Sequence, residues 1–168
     1  MDDIAKAKKL LANQKYDEAR DILDRMLETE KKNDELYYLR GVLSLKLKNY
    51  KKAQEYLDRA LFLKNKAGYH RTKGMAFFEI YEIDSAVNSF LSALALEPDD
   101  AVAHFFLAMC YLLMDDPLAV EHIRTAKEID SKKTKQLLSN FFTLFLEKDP
   151  HMTEEQKKKI AERIKTMK

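Results

Sequence analysis

The sequence predicts an all-α protein built as a solenoid of stacked antiparallel helix pairs, and three observations lead to this fold class. The 168 residues include only 3 glycines and 3 prolines, too few for the many turns that a sheet protein of this size requires. Apolar residues make up 46% and charged residues 35% of the chain, which is typical of a folded protein. Small and large apolar residues also recur at a period of 33 or 34 residues.

Four columns of residues carry this repeat. The first column is invariably alanine: Ala19, Ala53, Ala86 and Ala119. A large apolar residue follows each alanine by four positions: Leu23, Leu57, Phe90 and Ile123. The residue seven positions after the alanine is small in three of the four copies: Met26, Ala60, Ala93 and Ala126. A second column of small residues lies upstream: Ala7, Gly41, Gly74 and Ala108.

These columns predict two helices in each copy. Small residues allow the two axes to cross closely, and the large residue fills the space beside the crossing. The pattern resembles the tetratricopeptide repeat (TPR) family over about residues 3–131. The resemblance implies a right-handed superhelix of helix pairs at about 1–32, 33–66, 67–99 and 100–131. Copy one departs from the family pattern at Asp3 and Met26, and copy four lacks one residue in its turn at 115–117.

Local signals at the predicted helix boundaries agree with this register. The pairs Asn33–Asp34 and Asp99–Asp100 are N-cap candidates that open copies two and four. Pro98 lies where the preceding helix must stop, and Pro117 suits the first turn of the next helix.

Residues 132–168 predict a C-terminal helix pair, either a cap or a degenerate fifth repeat. A helix over 132–148 is dense in apolar residues, Asp149–Pro150 breaks the chain, and Thr153–Gln156 matches a capping box that opens the last helix. We expect the helix at 132–148 to cap the stack, fill the groove or form a dimer interface. The last helix is basic and carries an apolar side: Ile160, Ile164 and Met167.

Composition and motifs argue against several classes of function. The net charge of +2 is too near balance for electrostatic binding of nucleic acid. The single cysteine, Cys110, excludes an intrachain disulfide and is expected to be a buried small hydrophobe. His70 and His104 fall in one column, too far apart to share a metal, and aromatic packing is their expected role; His122 has no ligand partner at suitable spacing. We therefore expect no enzyme, cofactor, metal site or small-molecule substrate.

The expected location is the cytoplasm. No window approaches the apolar length of a membrane span, and the acidic residues Asp2 and Asp3 stand where a signal peptide needs cations.

The family resemblance implies a concave groove lined by the first helix of each pair. The residues at the groove positions are mostly apolar, and with two flanking cations they are the predicted partner-binding residues: Tyr38, Val42, Leu45, Lys46, Arg71, Met75, Phe78, Phe105, Met109 and Leu112. Some TPR proteins bind a carboxylate with a clamp of side chains at fixed repeat positions. In this chain those positions hold Ile4, Lys8, Leu39, Gly68 and Thr72, so this clamp is not expected.

The sequence thus predicts a non-catalytic protein-interaction module, an adaptor, assembly factor or chaperone that binds an apolar or amphipathic segment of another protein. The alternative is a self-assembling scaffold that forms homo-oligomers through its ends or its C-terminal helix. A third reading makes the basic tail a contact for nucleic acid or an acidic surface.

Overall fold

The computed structural model describes residues 2–147, 150 and 152–166. The chain comprises two compact units, residues 1–96 (unit 1) and residues 97–168 (unit 2). The helices of unit 1 are α1 Asp3–Ala12, α2 Tyr16–Thr29, α3 Asp34–Lys46, α4 Tyr50–Leu63, α5 Ala67–Glu79 and α6 Ile83–Leu96. Those of unit 2 are α7 Ala101–Leu113, α8 Leu118–Ile129, α9 Ser131–Asn140, a π-helical segment Phe141–Leu146 and α10 Glu154–Thr166.

The predicted all-α fold is confirmed. Within the described residues there is no strand, and α1–α8 form four consecutive helix pairs. Each first helix packs on its own second helix, and in unit 1 each second helix also contacts the first helix of the next pair. None of the helices in the described part of the chain is long and apolar enough to cross a membrane. The predicted domain boundary at residue 131 stays a prediction. The two compact units are divided along the chain between residues 96 and 97.

The repeat columns form the core of the helix pairs. All four residues of the alanine column have no exposed surface, and the large residues that follow them are at most 1% exposed. Of the third column only Met26 is partly exposed, which fits its larger side chain. The periodic residues therefore hold each pair together.

Two glycines mark the closest helix crossings. A Cβ atom at Gly74 would lie 2.7 Å from the ring of Phe90, and one at Gly41 would lie 2.8 Å from the side chain of Leu57. Both distances are shorter than carbon atoms can approach, so a Cβ atom at either position would force the neighbouring side chain to shift.

The turn inside each pair has a left-handed residue that the sequence did not reveal. These residues have φ between 57° and 61°, none is glycine, and they recur at the repeat period: Gln14, Lys48, Tyr81 and Asp115. In each turn the next residue donates a backbone hydrogen bond to a carbonyl near the end of the first helix, as Asn49 does to Ser44 at 2.8 Å. This bond closes the helix end in the manner of a Schellman motif.

The predicted helix caps are confirmed. Asn33 accepts hydrogen bonds from two backbone N–H groups of α3, and Asp100 does the same for α7. The capping box before α10 is reciprocal: the Thr153 N–H donates to Gln156 Oε1 at 2.9 Å, and the Gln156 N–H donates to Thr153 Oγ1 at 3.2 Å. Helix α6 ends before Pro98, and α8 begins directly after Pro117.

The C-terminal segment differs from the continuous helix expected over 132–148. Helix α9 is largely polar, and the apolar residues follow in the π-helical segment, in which the Glu147 N–H donates to the Phe142 carbonyl five residues earlier. The wider π turn changes the direction of the side chains that follow α9. Asp149 and Met167, and the side chains of Leu144 and Phe145, lie outside the described residues.

We predict opposite effects for two glycine-to-alanine substitutions in α5. Gly74→Ala forces a methyl group against the buried ring of Phe90, and overpacking of this kind costs about 1–3 kcal/mol, more than the roughly 1 kcal/mol of helix propensity gained. Gly68→Ala is the matched control, because its Cβ would meet only the end of Arg71 at 4.0 Å, and we expect a gain of about 0.5 kcal/mol. Urea denaturation measures both. Equal stabilisation by the two substitutions would contradict the close crossing.

Candidate functional site

The first helices of unit 1, α1, α3 and α5, lie side by side and form one face, named here the first-helix face. Seven of the ten predicted partner-binding residues belong to α3 and α5. Leu45 and Phe78 are only 8% and 3% exposed, so their side chains are part of the core. Lys46 is exposed, and the others are half-buried: Tyr38, Val42, Arg71 and Met75.

Packing between neighbouring pairs explains these burial differences. Leu45 forms a small core cluster with Ala53 and Ala76, and Met75 packs against one edge of that cluster. Leu45 and Met75 therefore serve packing between α3, α4 and α5 in addition to any partner. The open apolar surface of the face is smaller than the sequence predicts.

A polar and aromatic network joins α3 to α5 on this face. The rings of Tyr38 and Tyr69 are stacked with their centroids 4.5 Å apart. The Tyr38 and Thr72 hydroxyls are hydrogen bonded at 3.3 Å. Below the stack, the Asp34 carboxylate accepts hydrogen bonds from Lys66 Nζ and from the Tyr69 hydroxyl, each at 2.6 Å. The first helices of pairs two and three are thus fixed against each other by directional contacts.

The electrostatics of the network favour the ionised form of Asp34. Burial acts to raise the pKa of the Asp34 carboxyl, but the hydrogen bonds from Lys66 and Tyr69 and the positive charges of Lys66 and Lys64 hold that pKa below its ordinary value. Burial and the hydrogen bond to Asp34 raise the pKa of the Tyr69 hydroxyl to about 12. The hydrogen bonds of Lys66 to Asp34 and Tyr69 raise the pKa of the lysine. At neutral pH the network is therefore an ion pair with a neutral phenol.

The other three predicted residues belong to α7 in unit 2 and are buried. Phe105, Met109 and Leu112 are 1%, 0% and 2% exposed. The ring of Phe105 meets the ring of Phe141 edge to face at 6.4 Å, so the chain's own π-helical segment packs against it. Helix α9 contacts both α7 and α8, as the first helix of a following repeat would. In unit 2 the predicted groove residues thus have almost no surface left for a partner.

The structure pairs two histidines that the sequence did not bring together. His104 Nδ1 and His122 Nδ1 are 2.9 Å apart, and His104 Nε2 lies 3.0 Å from the Pro98 carbonyl oxygen. The carbonyl can only accept, so in the neutral pair His104 Nε2–H donates to it and His122 Nδ1–H donates to His104. Tyr111 stacks on the other side of His122, with ring centroids 5.5 Å apart. Burial and the neighbouring His104 lower the pKa of His122.

The described residues contain no group of three or more His, Cys, Asp or Glu side chains placed to hold a metal ion. Cys110 is fully buried, as the sequence predicts, and burial raises the pKa of its thiol to about 12. The thiol is therefore protonated and shielded from reagents.

Comparison with known proteins gives consistent matches. A family model described as "Tetratricopeptide repeat" matches residues 10–75. The "TPR repeat-containing protein MJ1428" of Methanocaldococcus jannaschii is 28% identical over 102 residues, which are 61% of this chain and 18% of that protein. The chain thus spans less than a fifth of the length of that relative.

Two solved structures share the fold. The crystal structure of MamA protein superimposes with a TM-score of 0.69 at 20% identity, over 79% of this chain and 74% of MamA. The "APC/C hetero-tetramer Cut9-Hcn1" contains a chain that superimposes with a TM-score of 0.74 at 19% identity, over 82% of this chain and 29% of that one.

The stacked pairs and the face built from their first helices define an α-helical repeat protein. Residues 10–75 match the tetratricopeptide repeat family model, and the helix pairs have the fold of TPR solenoid structures.

The Asp34 network predicts a pH-dependent contribution to stability. Because the folded-state pKa of Asp34 lies below the ordinary value of 3.8, the carboxylate stabilises the fold above that value and loses this effect as the pH falls through the lowered pKa. Asp34→Asn should therefore destabilise the protein by on the order of 1 kcal/mol at pH 7 and much less once the pH lies below the lowered pKa of Asp34. Urea denaturation across this pH range measures the difference.

The matched control is Asp84→Asn, which removes an exposed carboxylate of the same unit. If wild type and Asp34→Asn lost stability in parallel on acidification, the network would not hold α3 to α5 electrostatically.

Proposed function

We propose that this chain is a non-catalytic protein-interaction module that binds an apolar or amphipathic segment of another protein on the first-helix face of unit 1. Adaptor, assembly factor and chaperone all fit this function. The non-catalytic character and the cytoplasmic location remain predictions from the sequence.

The observation that carries the proposal is the mixed surface of the first-helix face. Val42 and Met75 are apolar and only half-buried, although each belongs to a helix whose core side is already filled by other residues. Lys46, four residues after Val42, is exposed, and Arg71 precedes Met75 by one turn. Apolar side chains flanked by cations suit an amphipathic segment with acidic residues along one edge.

The rigidity of the face supports the same function. The Tyr38–Tyr69 stack and the Asp34–Lys66 pair fix α3 against α5 before any partner arrives. A surface that is already ordered loses less conformational entropy on binding. The solved hetero-tetramer with a chain of this fold supports a role in assemblies.

The proposal is confined to unit 1. The predicted residues of unit 2 are buried, and Phe105 packs on Phe141. A glutamate in place of Phe78 or Met109 would enter the core and unfold the protein, so neither position can test binding.

Val42→Glu combined with Lys46→Glu tests the proposal, because both side chains reach the surface of α3 and glutamate is a good helix former. The double variant should lose affinity for its partner by about tenfold or more, since an apolar contact is replaced by charge and a cation is reversed. Quantitative affinity capture from the native lysate, with the melting temperature as a check on folding, measures this loss.

The control variant combines Lys52→Glu with Leu91→Glu, which makes the same kinds of change at exposed positions of the second helices α4 and α6. It should bind like wild type. Full capture by a folded Val42→Glu/Lys46→Glu protein would exclude the first-helix face.

Self-assembly is the second candidate function. The observation that favours it is a group of exposed apolar residues around the start of α8, where Met114, Leu118 and Val120 are 47%, 42% and 48% exposed. Such residues can mark an interface between copies of the chain. Sedimentation velocity of the purified chain at two concentrations separates a monomeric adaptor from a self-assembled scaffold.

A further inference from the structure

A cluster of aromatic and arginine side chains lies where α3 begins and α4 ends in unit 1, on residues that the first-helix face does not use. The rings of Tyr37 and Tyr56 lie 6.5 Å apart. The Arg40 guanidinium lies 5.0 Å from the centre of the Tyr56 ring, and the Arg59 guanidinium lies 5.8 Å from that of Tyr37 and 5.4 Å from that of Phe62. We name this set of five residues the aromatic–arginine cluster.

Phe62 is the most exposed large apolar side chain in the described part of the chain. It is 79% exposed, whereas the next most exposed, Val120, reaches 48%. Transfer of a phenylalanine side chain from water to an apolar contact is favourable, so an exposed phenylalanine is a substantial source of binding free energy. Its neighbour Arg59 keeps the ring at the surface by a cation–π contact and leaves most of the ring open.

The arginines of the cluster differ in their charge partners. Arg40 is paired with Asp24 at 2.8 Å, and the nearby Lys73 is paired with Asp58 at 2.5 Å. Within residues 2–147 and 152–166, no carboxylate pairs with Arg59, although its guanidinium is placed between two rings. Contacts with two rings restrict the side chain and leave its edge donors available for a planar, forked hydrogen bond to a carboxylate.

The neighbouring loop adds positive charge. The Tyr37 hydroxyl donates to the Lys31 carbonyl at 3.3 Å, so the loop between α2 and α3 lies against the cluster. Lys31 and Lys32 are exposed, and neither has a carboxylate partner among the described residues. The loop therefore adds two cations beside the cluster that holds Arg59.

We propose that the aromatic–arginine cluster is a second docking site, which takes an acidic peptide segment carrying one large apolar side chain. A carboxylate of the segment binds the Arg59 guanidinium, and the apolar side chain packs on the open ring of Phe62. The loop lysines attract further acidic residues of the segment.

Charge complementarity favours an acidic peptide over a nucleic acid. The Glu55 carboxylate lies on α4 one turn before Arg59, whereas the Asp58 carboxylate is paired with Lys73. The Glu55 charge would repel the continuous phosphate backbone of a nucleic acid, whereas a peptide can place a single carboxylate on Arg59. The net charge of +2 is also too near balance for broad electrostatic attraction of a nucleic acid.

The site is independent of the proposed function on the first-helix face. Its two anchors belong to the second helix α4, whereas Val42 and Lys46 belong to the first helix α3. Either surface can fail to bind without affecting the other.

A fluorescein-labelled peptide with one central phenylalanine between pairs of glutamates tests the proposal by fluorescence anisotropy. Arg59→Gln and Phe62→Ser should each weaken its binding by about tenfold or more, and Arg59→Lys should also weaken it, because lysine keeps the charge but lacks the forked donors. Peptides with glutamine for glutamate or serine for phenylalanine should lose affinity to a similar extent.

Matched controls are Arg25→Gln, an exposed arginine on α2, and Leu91→Ser, an exposed apolar residue on α6. Both should bind the peptide like wild type, as should Val42→Glu/Lys46→Glu, since the first-helix face is separate. Circular dichroism melting checks that each variant is folded.

Three results would overturn the proposal. Arg59→Gln could bind as tightly as Arg25→Gln, or Val42→Glu/Lys46→Glu could abolish binding, which would move the peptide to the first-helix face. A single-stranded oligonucleotide that binds more tightly than the peptide and depends on Arg59 would assign the cluster to nucleic acid instead.

Discussion

The close crossing of two helices within each pair is the constraint on which the rest of the structure depends. At Gly74 the backbone approaches the ring of Phe90 so closely that a single methyl group would lie 2.7 Å from it. Small residues at this crossing let a large side chain fill the space beside it. The same arrangement recurs in each of the four helix pairs. Because the crossing uses the inner side of each first helix, the opposite side is left to form the first-helix face. This face is therefore a consequence of the packing.

Much of the fold could be predicted because its determinants are residue types at fixed spacing. The alanine column, the caps at Asn33 and Asp100 and the capping box at Thr153 each carry a recognisable local signal. The left-handed turn residues could not be found this way, because residues such as Lys48 and Tyr81 stand where glycine is usual. A positive φ at a residue other than glycine is sterically unfavourable, but the packed helices on either side of the turn hold it in this conformation. The π-helical segment likewise has no distinctive sequence signal.

The candidate site was predictable in position but not in accessibility. Repeat register places Val42 and Met75 on the first-helix face, yet whether a neighbouring side chain is half-buried or fully buried depends on contacts far along the sequence. Phe105 is covered partly by Phe141, thirty-six residues later, and the predicted groove residue Leu45 joins the core beside Ala76. Periodicity within one helix cannot supply such contacts. The same limit hid the ring contacts that orient Arg59.

The most direct test of the central claim, that the first-helix face of unit 1 holds a partner, is site-specific photocrosslinking in the native host. Benzoylphenylalanine would replace Val42 on α3 or, as the control, Leu91 on α6, and the products would be identified by mass spectrometry. We expect one dominant crosslinked protein from position 42 and none of it from position 91. Equal crosslinking of that protein from both positions, or from position 91 alone, would show that the first-helix face does not hold the partner.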